Sequence, residues 1–349
     1  MLTQRQDKIL QAIVRQYTSV GQPVGSKHLA EDLPFKVSPA TVRNEMGVLE
    51  DNGLILKQHS SSGRIPSTKG YRYYVDHLLD TEAITNNDLL VIQNSLGTSF
   101  QKIDEIISHS ADILSDLTSY TAFTLKPEQA DVRLSGFRLV PLGNQKVIAI
   151  LVTDNGDVES QAFTLPQDFD TDALQAVVRM INDQLTGEPL TKVMNRLKDD
   201  IPLQVMQYLQ SADGFLDLFD HIVSRASREQ FFIGGRLNLF NFSNTYNSVG
   251  VQTLSRLLEH NDQISTLLDA NTANDGINVK IGSEISGNEA FDDYSLITAS
   301  YNVDQYGKGI IAVLGPAKMP YSRTIGLVDA FRQQLAKKLL DFYRHYYSS

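Results

Sequence analysis

Arg43 and Asn44 stand side by side in Ser38-Pro39-Ala40-Thr41-Val42-Arg43-Asn44-Glu45. Both side chains make paired hydrogen bonds to base edges, a guanidinium to guanine and a carboxamide to adenine. Further along, His59-Ser60-Ser61-Ser62-Gly63-Arg64 gathers an imidazole, three hydroxyls, a permissive Gly and a planar cation. Those groups suit phosphate oxygens. The chemistry offered is recognition of double-stranded DNA, with no bond made or broken. Motifs for catalysis are missing: there is no G-x-x-x-x-G-K-[ST] loop, no G-x-S-x-G elbow and no H-E-x-x-H. The seven His, at 28, 59, 77, 109, 221, 260 and 345, share no metal-ligand spacing. Asp292-Asp293 near Glu289 reads as a solvated acidic loop. No catalytic residue, metal site or cofactor is expected, and the chain is not read as an enzyme.

The recognition residues need a scaffold. Ser38 is a good helix N-cap and Pro39 suits the first helical position, where its missing N–H costs nothing. Val42, Met46 and Leu49 recur at i, i+4 and i+7, so one face points into a core. The opposite face carries Ala40, Thr41, Arg43, Asn44 and Gly47, small and polar as a major-groove reader should be. Gly47 in mid-helix costs about 1 kcal/mol against Ala, and close approach to another backbone is one candidate reason for it. Upstream, Thr3-Gln4-Arg5-Gln6 reads as a capping box opening a helix with Ile9, Ile13, Val14 and Tyr17 inward. Ser26 is expected to cap a second helix over Lys27 to Leu33. After Asn52-Gly53 come a short strand, Leu54 to Lys57, a Ser-rich turn, and Arg64-Ile65-Pro66 returning. Three helices and a hairpin give a winged helix-turn-helix, with the third helix as reader and the hairpin as wing.

Charge is distributed to match. The chain carries −10 overall, but residues 1–80 hold ten Lys/Arg against eight Asp/Glu, leaving −12 for the rest. Leu54 to Tyr74 contains Lys57, Arg64, Lys69 and Arg72 without an acid, a basic stripe on an acidic body. The absence of Cys removes disulfides and thiolate metal sites and agrees with a reducing cytoplasm. No basic-then-apolar leader opens the chain, and no apolar run approaches the ~20 residues of a membrane span, so a cytoplasmic protein with no membrane partner is expected.

Several segments carry a family resemblance. They are Leu2-Thr3-Gln4-Arg5-Gln6, Gln22-Pro23-Val24-Gly25-Ser26, Ala40 to Met46, and His59 to Ser67 continued by Lys69-Gly70-Tyr71-Arg72-Tyr73-Tyr74-Val75-Asp76. Weaker echoes are Ile281-Gly282-Ser283-Glu284 and Gly315 to Ser322, where Ala317-Lys318 replaces an expected Thr-Arg and removes any guanidinium role there. In these segments the chain resembles the heat-inducible transcription repressor HrcA family. The resemblance implies a homodimeric repressor of chaperone operons, an inverted-repeat operator of the CIRCE type, and activity tuned by the GroE chaperonin. It also implies an α+β multidomain architecture: a winged helix, then a GAF-like antiparallel α+β domain interrupted by a helical dimerising insert. The outer face of the third helix and the wing together give the candidate DNA-binding residues: Ser38, Ala40, Thr41, Arg43, Asn44, Gly47, His59, Ser60, Ser61, Ser62, Gly63, Arg64 and Lys69.

Past the wing, Thr68 is read as capping a helix with Tyr71, Tyr74, Val75, Leu78 and Leu79 on its packed face. Residues 1–80 form the winged helix and polar residues 81–87 a linker that lets the reader heads adjust. One long helix is expected from Leu89 to Leu117, then strands over 132–140, 147–153 and 158–164. Residues 165–240 read as mostly helical and form the dimerising insert, with 88–164 and 241–349 as the GAF-like domain. Phe215, Leu216, Leu218 and Phe219 are an apolar cluster and the candidates for the dimer interface; the competing role is the insert's own core. Helices around 249–268, strands at 277–281, 296–303 and 309–314, and a helix over 321–346 complete the chain. The alternative function is a winged-helix regulator whose GAF-like domain senses a small molecule; a saturable metabolite effect on operator affinity would distinguish it.

Overall fold

The computed structural model describes residues 2–57, 63–80, 84–97, 99–127, 132–154, 156–164, 171–209, 213–226, 231–241, 276–287 and 289–347, with Ile264, Leu267 and Leu268. The expected wing tip, His59 to Ser62, and most of the helical region 249–268 lie outside them. Contacts divide the chain into two compact units, Met1–Glu128 with Phe231–Ser349, and Gln129–Gln230.

The first unit opens with α1 (Gln4–Val20), closed by the anticipated capping box: Gln6 N donates to Thr3 Oγ1 at 3.3 Å and Thr3 N to Gln6 Oε1 at 2.9 Å. Ile9, Leu10, Ile13 and Val14 are buried, and Gly21 ends the helix in the left-handed region at φ 72°. α2 (Ser26–Asp32) begins after Gly25 without a side-chain cap, so Ser26 is its first residue and not its cap. α3 (Pro39–Asp51) starts as anticipated, Thr41 N donating to Ser38 Oγ at 3.1 Å, with Val42, Met46 and Leu49 inward. β1 (Ile55–Lys57) and β2 (Arg64–Pro66) pair antiparallel, with Lys57 opposite Arg64. Val24 bridges to Arg64 from the other side, each N donating to the other's carbonyl at 2.9 Å. α4 (Thr68–Tyr73) is capped by Ser67 and not Thr68, Gly70 N donating to Ser67 Oγ at 2.9 Å. It runs on as a π-helical turn, Tyr74–Leu78.

The segment that follows differs from expectation at three places. α5 (Asn86–Leu96) starts inside the stretch read as linker, because Thr85 and Asp88 form a second capping box. The Thr85 hydroxyl and then Arg323 hold the Asp88 carboxyl below its ordinary value. The single long helix is broken at Gly97, and α6 (Ile103–Thr118) is separate. The buried strand β3 (Thr121–Leu125), absent from the sequence reading, follows.

The second unit contains a sheet that the sequence reading assigned to the preceding domain. β4 (Leu134–Gly143), β5 (Lys146–Thr153) and β6 (Val158–Thr164) form a three-stranded antiparallel sheet of their own. Val147, Ala149 and Leu151 alternate inward, onto α7 (Thr171–Leu185), α8 (Leu190–Lys198), α9 (Ile201–Val205) and α10 (Asp213–Ala226). The Asn182 side chain ties α7 to β4, donating to Phe137 O and accepting from Phe137 N, both at 2.8 Å. The compact unit thus starts near 129 instead of 165 and is not purely helical, because these strands have their core with α7 and α10. Phe215, Leu218 and Phe219 belong to that core, at 3 % exposure or less, with the Phe219 ring 4.6 Å from Phe137. Leu216 is partly buried against it. Phe215, Leu218 and Phe219 are therefore the unit's own interior, and their burial within one chain removes these three side chains from a dimer interface.

The chain returns as β7 (Phe231–Gly234), β8 (Ile277–Ile281), β9 (Tyr294–Asn302) and β10 (Lys308–Pro316), then α11 (Tyr321–Tyr347). With β3 they make a sheet ordered β7-β3-β10-β9-β8, antiparallel throughout. One face packs Ile297, Ile311 and Val313 under α5, α6 and α11; the other buries Phe123, Leu296 and Leu314 with Phe291 and Leu239.

Candidate nucleic-acid interface

The outer face of α3 is open. Ala40, Arg43 and Asn44 are exposed, and Thr41 and Gly47 half-buried. Arg43 makes no ion pair or hydrogen bond among the described residues. A Cβ built on Gly47 would meet nothing within 4 Å, so packing within the chain does not require glycine there. α3 is fastened from behind: Gln6 Nε2 donates to Glu45 Oε2 at 3.0 Å, and Arg5 Nη1 lies 3.4 Å from Glu45 Oε1. The face can therefore present the donors and acceptors of Arg43 and Asn44 from a fixed backbone, while the Thr41 hydroxyl is paired with that of Ser38 at 2.9 Å.

The basic stripe has a different fate. Arg64, expected as the wing-tip cation, begins β2 opposite Lys57 and turns back onto α3, donating from Nε to Glu50 Oε2 at 2.8 Å, with Nη2 2.6 Å from the same oxygen. Its side chain is 19 % exposed. Arg64 therefore ties the wing to the last turn of α3, and its charge is neutralised there. Lys69 Nζ donates to Asn52 O at 2.9 Å, satisfying the C-terminus of α3 where a cation is favoured. Arg72 is held by Glu284, Asp76 and the Val279 carbonyl. Burial opposes its charge, but the hydrogen bonds to Glu284 and Asp76 outweigh this and raise its pKa. Among the four cations of the stripe, Lys57 alone is exposed without a partner among the described residues.

Two glycines fix this geometry. A Cβ on Gly63 would lie 2.4 Å from Val24 O, and one on Gly70 1.9 Å from Leu54 O. Both positions admit only glycine, because the obstruction is backbone. Sequence reasoning missed Glu50 and Glu45. Their signal was available: acids on the reader helix, near the charge of a hairpin that must fold back beside it. Of the anticipated residues, Ser38, Ala40, Thr41, Arg43, Asn44 and Gly47 belong to α3 and its cap, Gly63 and Arg64 open the returning wing strand, Arg64 and Lys69 bond to the C-terminal end of α3, and His59 to Ser62 are outside the described residues.

A capped reader helix braced by a wing on a mixed α/β body defines a winged helix-turn-helix transcription regulator. Residues 1–76 match the family model described as the winged helix-turn-helix transcription repressor, HrcA DNA-binding, and residues 104–325 that of the HrcA protein C-terminal domain. Over 350 residues the chain is 75 % identical to the heat-inducible transcription repressor HrcA of Limosilactobacillus reuteri (strain DSM 20016), covering 100 % of both. It is 52 % identical to that of Ligilactobacillus salivarius (strain UCC118), covering 99 % of each. The chain belongs to the heat-inducible transcription repressor HrcA family. A crystal structure described as a hypothetical protein shares the fold, with a TM-score of 0.60, 21 % identity, and coverage of 98 % of this chain and 99 % of that one. No helix among the described residues is long and apolar enough to cross a membrane.

Proposed function

We propose that the outer face of α3 enters the major groove of an inverted-repeat, CIRCE-type operator controlling heat-shock chaperone genes. Arg43 and Asn44 would read base edges, Ala40, Thr41 and Gly47 allow close approach, and His59 to Ser62 contact phosphate at the wing. The observation that carries this reading is the contrast on one helix between a braced inner face and an outer one whose Arg43 is exposed and whose Gly47 answers to no neighbour among the described residues. The test is titration of the full chain against operator and scrambled duplexes. Equal affinity for both would overturn it.

An inverted repeat calls for two heads related by a two-fold axis. Homodimerisation through the unit 129–230 is part of the proposal, now with the open face of its sheet as the contact. Ile148, Ile150 and Val152 on β5, beside Val140 and Val158 (41 % and 59 % exposed), alternate away from the unit's core. Sedimentation of Ile150→Glu should show a monomer; a persistent dimer would remove this face. The body, read as GAF-like, would receive the chaperonin's influence in the cytoplasm. Added GroE chaperonin should raise the operator-competent fraction, and unfolded client protein should reverse it. An operator affinity that follows a metabolite and ignores the chaperonin would replace this reading.

A further inference from the structure

α4 belongs to the head by sequence, yet it is fixed by the body. Arg72 Nε donates to Glu284 Oε1 at 3.0 Å, Nη2 donates to the Val279 carbonyl at 2.6 Å and also meets Glu284 Oε2, and Nη1 donates to Asp76 Oδ1 at 3.1 Å. Glu284 is itself oriented, its Oε2 accepting from Ile281 N at 3.0 Å. Gly282, at φ 62°, turns the chain against Thr68. Beside this, the Tyr71 ring lies 5.7 Å from Tyr321, whose hydroxyl donates to Ala317 O at 2.6 Å and pairs with Ser295 Oγ. Ser322 Oγ donates to the Asp80 carbonyl. Asp80, at the end of the head, is thus itself bonded to the first turn of α11.

We infer that Arg72 is a positioning residue for operator recognition, clamping the reader head onto the body so that the body sets the separation of the two half-sites. The inference rests on the inverted-repeat reading above. Only a planar guanidinium can bridge a carboxylate, a backbone carbonyl and a second carboxylate in one arrangement; an ammonium is a point charge. Tyr71 shows that the contact is not at its optimum. Its hydroxyl is buried with no hydrogen-bond partner among the described residues. Removing that oxygen should tighten the same clamp that removing Arg72 loosens.

The experiment uses full-length protein and three duplexes: the operator, the operator with its spacer changed by about five base pairs (half a helical turn), and a single half-site. Arg72→Ala, Arg72→Lys and Glu284→Gln should keep half-site affinity within about twofold and lose about tenfold of the discrimination between spacings. Tyr71→Phe should keep or increase it. Unchanged discrimination in Arg72→Ala overturns the inference, and so does a fall in half-site affinity, which would place Arg72 at the DNA or in the head's stability. If wild-type protein shows no preference for the inverted repeat over the half-site, the operator reading fails by itself. The clamp is then judged by hydrogen exchange in α4: about tenfold faster in Arg72→Ala sustains it, and an equal rate sinks it.

Discussion

The outer face of α3 and the basic stripe from Lys57 to Arg72 look alike as sequence and are opposites in the structure. The first has one cation, Arg43, which has no partner among the described residues. The second has four, and Glu50, the Asn52 carbonyl and Glu284 have taken three of them. A count of local charge therefore misplaces the electrostatic footprint. What matters is which cations remain after the head has braced its own wing and docked on its body.

The glycines give the largest test of that contrast. Gly70→Ala forces a methyl group into the Leu54 carbonyl and should destabilise the head by about 3 kcal/mol, seen as a lost or lowered melting transition. Gly47→Ala meets open space and should stabilise α3 by ~0.5–1 kcal/mol while weakening operator binding. A neutral Gly70→Ala would mean that α4 and Leu54 do not cross as described.

Next are the readers. Arg43→Ala and Asn44→Ala should each cost ~1–3 kcal/mol of operator affinity per half-site and leave the melting temperature unchanged. Losses equal on operator and scrambled DNA would move both residues to phosphate positioning. Arg64→Ala should behave in the reverse way. Removing a partly exposed pair should cost about 1 kcal/mol of stability, and the log–log salt slope of binding should not change, because Glu50 already neutralises the guanidinium. A slope flattened by about one per half-site would show that Arg64 leaves Glu50 for a phosphate. The smallest effect belongs to Lys69→Ala, ~0.3–1 kcal/mol of thermal stability from the uncapped end of α3, with sequence preference intact.

Local rules made much of this fold legible. Thr3 and Ser38 announce α1 and α3, Val42, Met46 and Leu49 place the buried face, and the alternation of β5 shows through its sequence. β3 escaped because Thr-Ala-Phe-Thr-Leu is buried on both faces and shows no alternation. The grouping of β4 to β6 escaped because hairpin signals say which strands pair, and not which helices cover them. In the site, the reader face was legible and the commitments of Arg64 and Arg72 were not. Those depend on Glu50 and Glu284, the latter 212 residues away, and no spacing rule spans such a distance.

The pairing of β3 with β7 has a consequence for how the molecule is made. Leu125 lies opposite Phe231, so two neighbouring strands of one sheet are synthesised about one hundred residues apart. Closing so long a loop costs roughly 3 kcal/mol more than closing a short hairpin. A segment that folds by itself in the interval shortens the effective loop before β7 leaves the ribosome. The sheet under α11 should therefore assemble late, after residues 129–230 have become compact. A lesion in the core around Phe137 and Phe219 would then slow the folding of a sheet to which neither residue belongs.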